Sequence, residues 1–288
     1  MTGGVAEQRV ECGGYRTRYL EAGDREAPPL LLLHDGGWGG SASTSWKNAI
    51  SAFAETRRVL VPDMLGFGGT DKVVFLDRSP YSFRIVHLAA FLIAVGVTEP
   101  VDVVGTSFGG SVALRSLTLP ESFPVRSAVS IAGTGGPWRT EKAKRELGEW
   151  DGTRDGIAKI VRLLMDDSAY FDDHVSERFR WASVPGHFKA VSAPAISVPA
   201  SLQHPVDDTW PRPLGEVPQP IMLIRCTKDE LVQRDWTDHV RRANPDVVVR
   251  LINHRHSPNI DRAEELVGII SDFWCHAHPR PTAGARFP

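Results

Sequence analysis

Ser107 is the residue whose setting most strongly indicates catalysis. It lies in the pentapeptide GTSFG, between a short apolar run and a segment of helical periodicity. A G-x-S-x-G pattern at a sharp strand-to-helix turn holds the serine hydroxyl clear of the sheet, because only small flanking residues avoid a clash there. The first N–H groups of the helix then point at any negative charge that develops nearby. We therefore predict that Ser107 is a catalytic nucleophile, with a helix-capping serine as the alternative.

A serine hydroxyl needs a base and an orienting acid to act as a nucleophile. Among the ten histidines, His256 is best placed for the base because it lies in a loop before the last predicted helix, and His254 is its rival. Asp229 follows a late apolar strand and is the expected acid, with Glu230 and Asp235 as alternatives. The order serine, aspartate, histidine along the chain is that of α/β-hydrolases rather than that of the other serine hydrolase folds.

The segment HDGG, which follows an early apolar run, is the expected source of an oxyanion hole. Glycine lets the backbone approach the substrate closely, so we expect the N–H groups of Gly36 and Phe108 to face the substrate oxygen. A carboxylate aimed into such a hole would oppose the anion. We therefore predict that the Asp35 side chain faces away or is bound by a cation. His34 and Asp63 are interpreted as structural residues of the loop and of a strand-end turn.

Strands and helices alternate around these residues. Apolar runs at residues 30–33, 59–61 and 101–104 are separated by segments of helical period, and the alternation resumes at residue 221. This pattern predicts an α/β protein with a parallel sheet covered by helices on both faces. Residues 7–22 alternate around a Gly-Gly pair, which predicts a β-hairpin at one edge of the sheet.

The strand pattern stops in the middle of the chain. Charged segments of helical period come first, and then a tract from residue 185 to 220 carries eight prolines in 36 residues. We predict a core domain of residues 1–136 and 215–288, interrupted by a helical lid at residues 137–214. The lid aromatics are candidate walls of a substrate pocket, and each is equally compatible with packing inside the lid: Phe171, Phe179, Trp181 and Phe188.

The composition restricts the partners and the compartment. With 33 basic and 35 acidic residues the formal net charge is −2, so we expect a small-molecule substrate and neither nucleic acid nor a membrane as partner. The three cysteines at 12, 226 and 275 are an odd number without close spacing, which argues against a disulfide framework and indicates a cytoplasmic protein. His254 and His256 lack further ligands nearby, so neither a metal nor another cofactor is expected.

Five segments together resemble the α/β-hydrolase superfamily, and within it the meta-cleavage product hydrolases, which cut a carbon–carbon bond in ring-fission products of aromatic degradation. They are LLLLHDGGWGG, RRVLVPDMLGFGGTDK, VDVVGTSFGGSVALRS, IMLIRCTKDELV and HRHSPNIDRAEELVGIISDFW. The resemblance implies a mostly parallel eight-stranded sheet under a helical lid, a serine-dependent hydrolase and a vinylogous diketone acid as substrate. It is also compatible with a homodimer.

The predicted lid extends the resemblance to substrate binding. LLMDDSAYFDDHVSERFRWA resembles the family's lid segment, in which an arginine contacts the substrate carboxylate, and that arginine falls on Arg178. The other expected substrate contacts are Gly37, Trp38, Thr106 and Trp181.

The chain departs from the family pattern near the site. Thr106 precedes the nucleophile where asparagine is usual, Asp35 stands in a motif that is normally all glycine, and Ser257 follows the histidine where tryptophan is common. Two other functions therefore stay open. One is an esterase, thioesterase or lactonase with the same machinery, and the other is a non-catalytic binding protein of hydrolase fold.

Overall fold

In the computed structural model, which describes residues 4–166, 168–196, 199 and 208–277, eight strands form one sheet. Their order is β1-β2-β4-β3-β5-β6-β7-β8. β2 runs antiparallel to both of its neighbours, and all other neighbouring pairs are parallel. The strands are β1 (Ala6–Cys12), β2 (Tyr15–Ala22), β3 (Pro29–Leu33), β4 (Arg58–Pro62), β5 (Val101–Thr106), β6 (Val125–Ile131), β7 (Ile221–Cys226) and β8 (Val248–Ile252).

The predicted edge hairpin is present. β1 lies at one end of the strand order and pairs with β2, and Cys12 stands opposite Tyr15 across the turn. Gly13 and Gly14 adopt φ values of 57° and 84°, which glycine reaches without steric cost.

Helices cover both faces of the sheet because the central strands are apolar on both sides. In β3, Leu30 and Leu32 belong to one buried cluster together with Trp274, whereas Leu31 and Leu33 belong to the opposite cluster. In the described part of the chain, no helix combines the length and apolar character needed to cross a membrane. The α-helices are α1 (Ala42–Trp46), α2 (Ile50–Ala54), α3 (Ser82–Ala94), α4 (Phe108–Ser116), α5 (Glu141–Gly148), α6 (Arg154–Leu164), α7 (Phe171–Ala182), α8 (His187–Ser192), α9 (Trp236–Ala243), α10 (Pro258–Asp261) and α11 (Ala263–Ala277).

Four of these helices, α5 to α8, lie between β6 and β7, where the sequence predicts a lid. Apolar side chains of α6 pack in one buried cluster with Trp38, Leu231 and Ile260 of the core. The indole N–H of Trp38 also donates to the carbonyl oxygen of Leu147 in α5, at 3.0 Å. These contacts attach the helices to the strand-end loops. The boundaries at residues 136 and 214 stay a prediction.

The parallel strands bring their carboxyl ends to one edge of the sheet. The loops after β3, β5, β7 and β8 therefore converge there, as is usual for ligand sites in sheets of this kind. They carry the HDGG segment, Ser107, Asp229 and His256, respectively.

Candidate active site

Ser107 occupies the turn between β5 and α4, with φ 54° and ψ −117°. A non-glycine residue in this region carries about 1–3 kcal/mol of strain, so the surrounding structure must hold it. The Ser107 N–H donates to the Ile131 carbonyl at 2.7 Å. A Cβ on Gly105 would overlap the Gly109 carbonyl, so the tight turn requires glycine there. The strand–turn–helix context expected for the nucleophile is thus present.

His256 is oriented by Asp229. The His256 Nδ1 atom lies 2.7 Å from Asp229 Oδ2, and the two side chains are only 3% and 2% exposed. The other carboxylate oxygen accepts the Leu231 N–H at 2.8 Å, which fixes the acid. With the proton on Nδ1, the Nε2 atom is left as a hydrogen-bond acceptor. A general base for a serine hydroxyl needs this orientation.

His256 and Ser107 line the same cavity, whose volume is about 370 Å³. Within the described residues, His256 Nε2 has no hydrogen-bond partner, and no hydrogen bond joins it to Ser107 Oγ. Catalytic hydrogen bonds are often long before substrate binds, so this arrangement is compatible with proton transfer from the hydroxyl. The complete triad stays a prediction, and the buried His256–Asp229 pair supports it.

The alternative bases and acids lie elsewhere. His254 Nε2 is 2.7 Å from Asp261 Oδ1, and both of these side chains are buried. Glu230 pairs with Lys142 at 2.7 Å on the surface, and Asp235 is exposed. None of the three alternatives lines the cavity.

Gly36 and Phe108 meet beside the nucleophile. A Cβ built on Gly36 would lie 2.7 Å from the Phe108 Cβ, so any side chain at 36 would push the loop away from Ser107. Both residues line the cavity. The Phe108 N–H is at the first position of α4, where the helix itself supplies no acceptor. This placement supports the predicted oxyanion hole.

Asp35 is buried and forms an ion pair with Arg178. Its Oδ1 atom also accepts the Gly37 N–H at 2.8 Å, and its Oδ2 atom accepts the Ser45 hydroxyl at 3.0 Å. Burial by itself raises the pKa of Asp35, but the charge and hydrogen bond of Arg178, together with the Gly37 N–H, outweigh it and lower the pKa to about 2. The prediction that a cation binds Asp35 is confirmed.

Known proteins match most of this chain. The model of the alpha/beta hydrolase family covers residues 30–269. The chain belongs to the alpha/beta hydrolase family. This membership and the strand order confirm the predicted fold class.

Individual proteins that match this chain indicate which group of alpha/beta hydrolases it is similar to. The 2-hydroxy-6-oxo-6-(2'-aminophenyl)hexa-2,4-dienoic acid hydrolase of Metapseudomonas resinovorans is 32% identical over 78% of this chain and 76% of its own length. The 2-hydroxymuconate semialdehyde hydrolase of Pseudomonas sp. strain CF600 is 24% identical over 94% of both chains. A solved serine hydrolase involved in carbazole degradation, the CarC enzyme, has a TM-score of 0.78 at 26% identity, covering 95% of this chain and 100% of that one. These similarities confirm the resemblance to meta-cleavage product hydrolases and the predicted enzyme type, a serine hydrolase.

Arg178 does not face the cavity, contrary to the expectation from the hydrolase resemblance. Its side chain is fully buried, and its guanidinium pairs with Asp35. The Nε–H also donates to the Trp38 carbonyl oxygen at 2.8 Å, and Nη1 lies 3.4 Å from His174 Nε2. The aspartate that replaces glycine in the loop thus engages the arginine that was expected to bind substrate.

Two further expected substrate contacts also lie away from the cavity. The indole N–H of Trp181 donates to the Ser43 hydroxyl at 3.3 Å, and Thr106 is fully buried in β5. Gly37 and Trp38 do line the cavity, and their contact with substrate stays a prediction.

The lid side of the cavity is formed by residues that sequence reasoning did not single out. None of the four candidate lid aromatics is among its described lining residues, and Phe188 is 52% exposed and stacks on Trp38 with 5.1 Å between ring centroids. The lining from the lid consists of Arg139, Ala143, Leu147, Gly148, Ala190, Val191, Ser192 and Pro194.

Sequence reasoning also missed Tyr81, Arg84 and Arg139, which line the cavity. Arg84 lies in the first turn of α3, where the positive end of the helix dipole disfavours a cation. That unfavourable placement is the signal that points to a role other than helix stability. Burial raises the pKa of Tyr81, so its phenol is a neutral hydrogen-bond donor at pH 7.

Proposed function

We propose that the protein hydrolyses a carbon–carbon bond in a meta-cleavage product, a vinylogous diketone acid, with Ser107, His256 and Asp229 as its catalytic groups. The proposal rests on one observation. Ser107 and His256 line the same cavity, and the buried carboxylate of Asp229 holds the Nδ1 atom of His256.

The substrate class rests on two further observations. The relative with 32% identity is named for a dienoic acid substrate. The cavity lining contains the buried Arg84 and, among its described residues, no carboxylate, so it favours an anion over a neutral or cationic ligand.

We propose that the first step converts the substrate's enol to its keto tautomer. The proton leaves the enol oxygen, and a proton is added to the carbon beside the bond that will break. His256 Nε2 is the group that moves this proton, because Nδ1 is engaged by Asp229.

In the second step an oxygen adds to the carbonyl carbon beside that bond. The oxygen is Ser107 Oγ or an activated water, and its proton passes to His256 Nε2. The negative charge on the carbonyl oxygen meets the N–H groups of Gly36 and Phe108. When the carbon–carbon bond breaks, its electron pair stays on the keto-acid fragment, which takes a proton from the imidazolium. If serine is the nucleophile, water then hydrolyses the acyl-serine.

A panel of ring-fission dienoates tests this proposal. Wild-type protein should consume at least one of them, and the decrease in dienolate absorbance measures this turnover. Ser107→Ala protein should fold but show no turnover. Turnover of esters, thioesters or lactones without any dienoate would support the second candidate function. Folded protein without turnover of any of these substrates would indicate a binding protein.

We also propose a small-molecule substrate without nucleic-acid or membrane partners, and a cytoplasmic, homodimeric protein. The cytoplasmic location is supported by the cysteines Cys12, Cys226 and Cys275, which are all free. The homodimer rests on the family resemblance alone, and light scattering on the purified protein tests it.

A further inference from the structure

Arg84 is a buried cation on the cavity wall, with only 4% of its surface exposed. Its Nε–H donates to the Leu65 carbonyl at 3.0 Å, and Nη1 donates to the Pro80 carbonyl at 2.8 Å. These two bonds fix the plane of the guanidinium. Among the described residues, Nη2 has no acceptor, and no carboxylate oxygen lies within ion-pair distance of the group.

Among the described residues around Arg84, no carboxylate balances its charge. Burial lowers the pKa of Arg84 to about 9, because little solvent stabilises its charge. The guanidinium carbon lies 4.4–5.2 Å from the centroids of three aromatic rings, which offset part of this cost by cation–π attraction. The rings belong to Phe67, Phe83 and Phe108. At neutral pH the group stays charged, and an anionic ligand would complete its coordination.

We propose that Arg84 binds the carboxylate of the substrate through Nη2. This inference rests on the proposed function and assigns the subsite that holds the acid end. The guanidinium lies over the ring of Phe108, the residue that directly follows Ser107, and Arg84 lines the same cavity as the nucleophile. Gly66 leaves room beside Nη2, since a Cβ at that position would lie 3.4 Å from it.

The other arginines near the site are less suited to this role. Arg178 is committed to Asp35 and does not line the cavity. Arg139 lines the cavity but is exposed, so water and salt screen its charge. Arg84 is the buried cation of the cavity lining.

A matched pair of esters tests the subsite without a dienoate. p-Nitrophenyl hemisuccinate and p-nitrophenyl butyrate share a leaving group and a chain length. The acyl chain ends in a carboxylate in the hemisuccinate and in a methyl group in the butyrate. We measure kcat/KM for both esters with wild-type, Arg84→Gln, Arg84→Lys and Arg139→Gln protein. The ratio of the two values cancels any loss of folded protein, because unfolding lowers both equally.

Arg84→Gln should lower the hemisuccinate-to-butyrate ratio by about 10- to 100-fold, since it removes a charge-assisted hydrogen bond in a buried site. Arg84→Lys should retain part of the preference because it keeps the charge but loses the planar donor geometry. Arg139→Gln should change the ratio by less than about threefold, as expected for a screened surface charge.

An unchanged ratio in Arg84→Gln overturns the proposal, and so does a loss found only in Arg139→Gln. A wild-type enzyme that hydrolyses the butyrate but not the hemisuccinate overturns it as well. If wild type hydrolyses neither ester, calorimetric titration of both intact esters decides the subsite, and the dienoate panel decides the proposed function separately. If Arg84→Gln protein turns over dienoates as fast as wild type does, the proposed role of Arg84 in carboxylate binding is refuted, whereas the proposed function is not.

Discussion

The ion pair between Asp35 and Arg178 connects the lid to the oxyanion loop, and its removal gives a specific prediction. Arg178 belongs to α7, whereas Asp35 directly precedes Gly36 of the predicted oxyanion hole. The two elements are also in direct backbone contact, because a Cβ on Gly39 would overlap the Arg178 carbonyl oxygen. Loss of the pair should therefore affect both the stability of the protein and the rate of its reaction.

The change to make is Asp35→Asn, which keeps the shape of the side chain and removes its charge. The guanidinium of Arg178 would then be buried without a counter-charge, and removing one partner of a buried pair costs about 3–5 kcal/mol. The pKa of Asp35, lowered from 3.8 to about 2, corresponds to about 2 kcal/mol that favours the ionised form in the folded state. Together these values predict a loss of about 2–5 kcal/mol in the free energy of unfolding.

Urea unfolding followed by tryptophan fluorescence measures this loss at pH 7. The control is the double variant Asp35→Asn/Arg178→Met, which removes both charges and should recover most of the stability lost in Asp35→Asn. Dienoate kcat should fall in the single variant because the loop that carries Gly36 loses its tether. Two results would refute the coupling between Asp35 and Arg178. One is a free energy of unfolding of Asp35→Asn within about 0.5 kcal/mol of the wild-type value, and the other is a double variant whose loss equals the sum of the losses from the two substitutions made singly.

Two further predictions concern the loop and the response to acid. Gly36→Ala should lower kcat by about 100-fold with a smaller effect on stability, because its Cβ would lie 2.7 Å from the Phe108 Cβ and displace an oxyanion donor. A variant that keeps the wild-type kcat would contradict the assignment of Gly36 to the oxyanion hole. Burial lowers the pKa of His87 and of His187 from 6.5 to about 4, so the unfolded chain binds more protons between these pH values. The free energy of unfolding should therefore fall as pH drops from 6.5 to 4, by about 3 kcal/mol for each histidine. Urea titrations at pH 7 and pH 4.5 measure this change, and an equal free energy of unfolding at the two pH values refutes the prediction.

Local signals were sufficient for much of the fold and part of the site. The turn at Ser107 requires glycines at fixed positions, and the edge hairpin requires Gly13 and Gly14, so both are visible in a few consecutive residues. The pairing of Asp229 with His256 followed from their places after late strands, because parallel strands end at one edge of the sheet.

Contacts between distant segments could not be predicted in the same way. Arg178 and Asp35 are 143 residues apart, and sequence spacing does not show which of several charges a buried guanidinium meets. The short helix α8 lies in the proline-rich tract, and its His187 accepts the Gly39 N–H at 3.0 Å across 148 residues. The cavity wall near Arg84 likewise depends on how α3 packs against the strand-end loops.

The rate at which a fluorophosphonate labels the protein tests the central claim most directly. Peptide mass mapping should place the label on Ser107 in wild-type protein, and His256→Gln should slow the labelling by at least about 100-fold, because the hydroxyl loses its base. Folded wild-type protein that is not labelled, a label on another residue, or an unchanged rate in His256→Gln would contradict the claim that His256 activates Ser107.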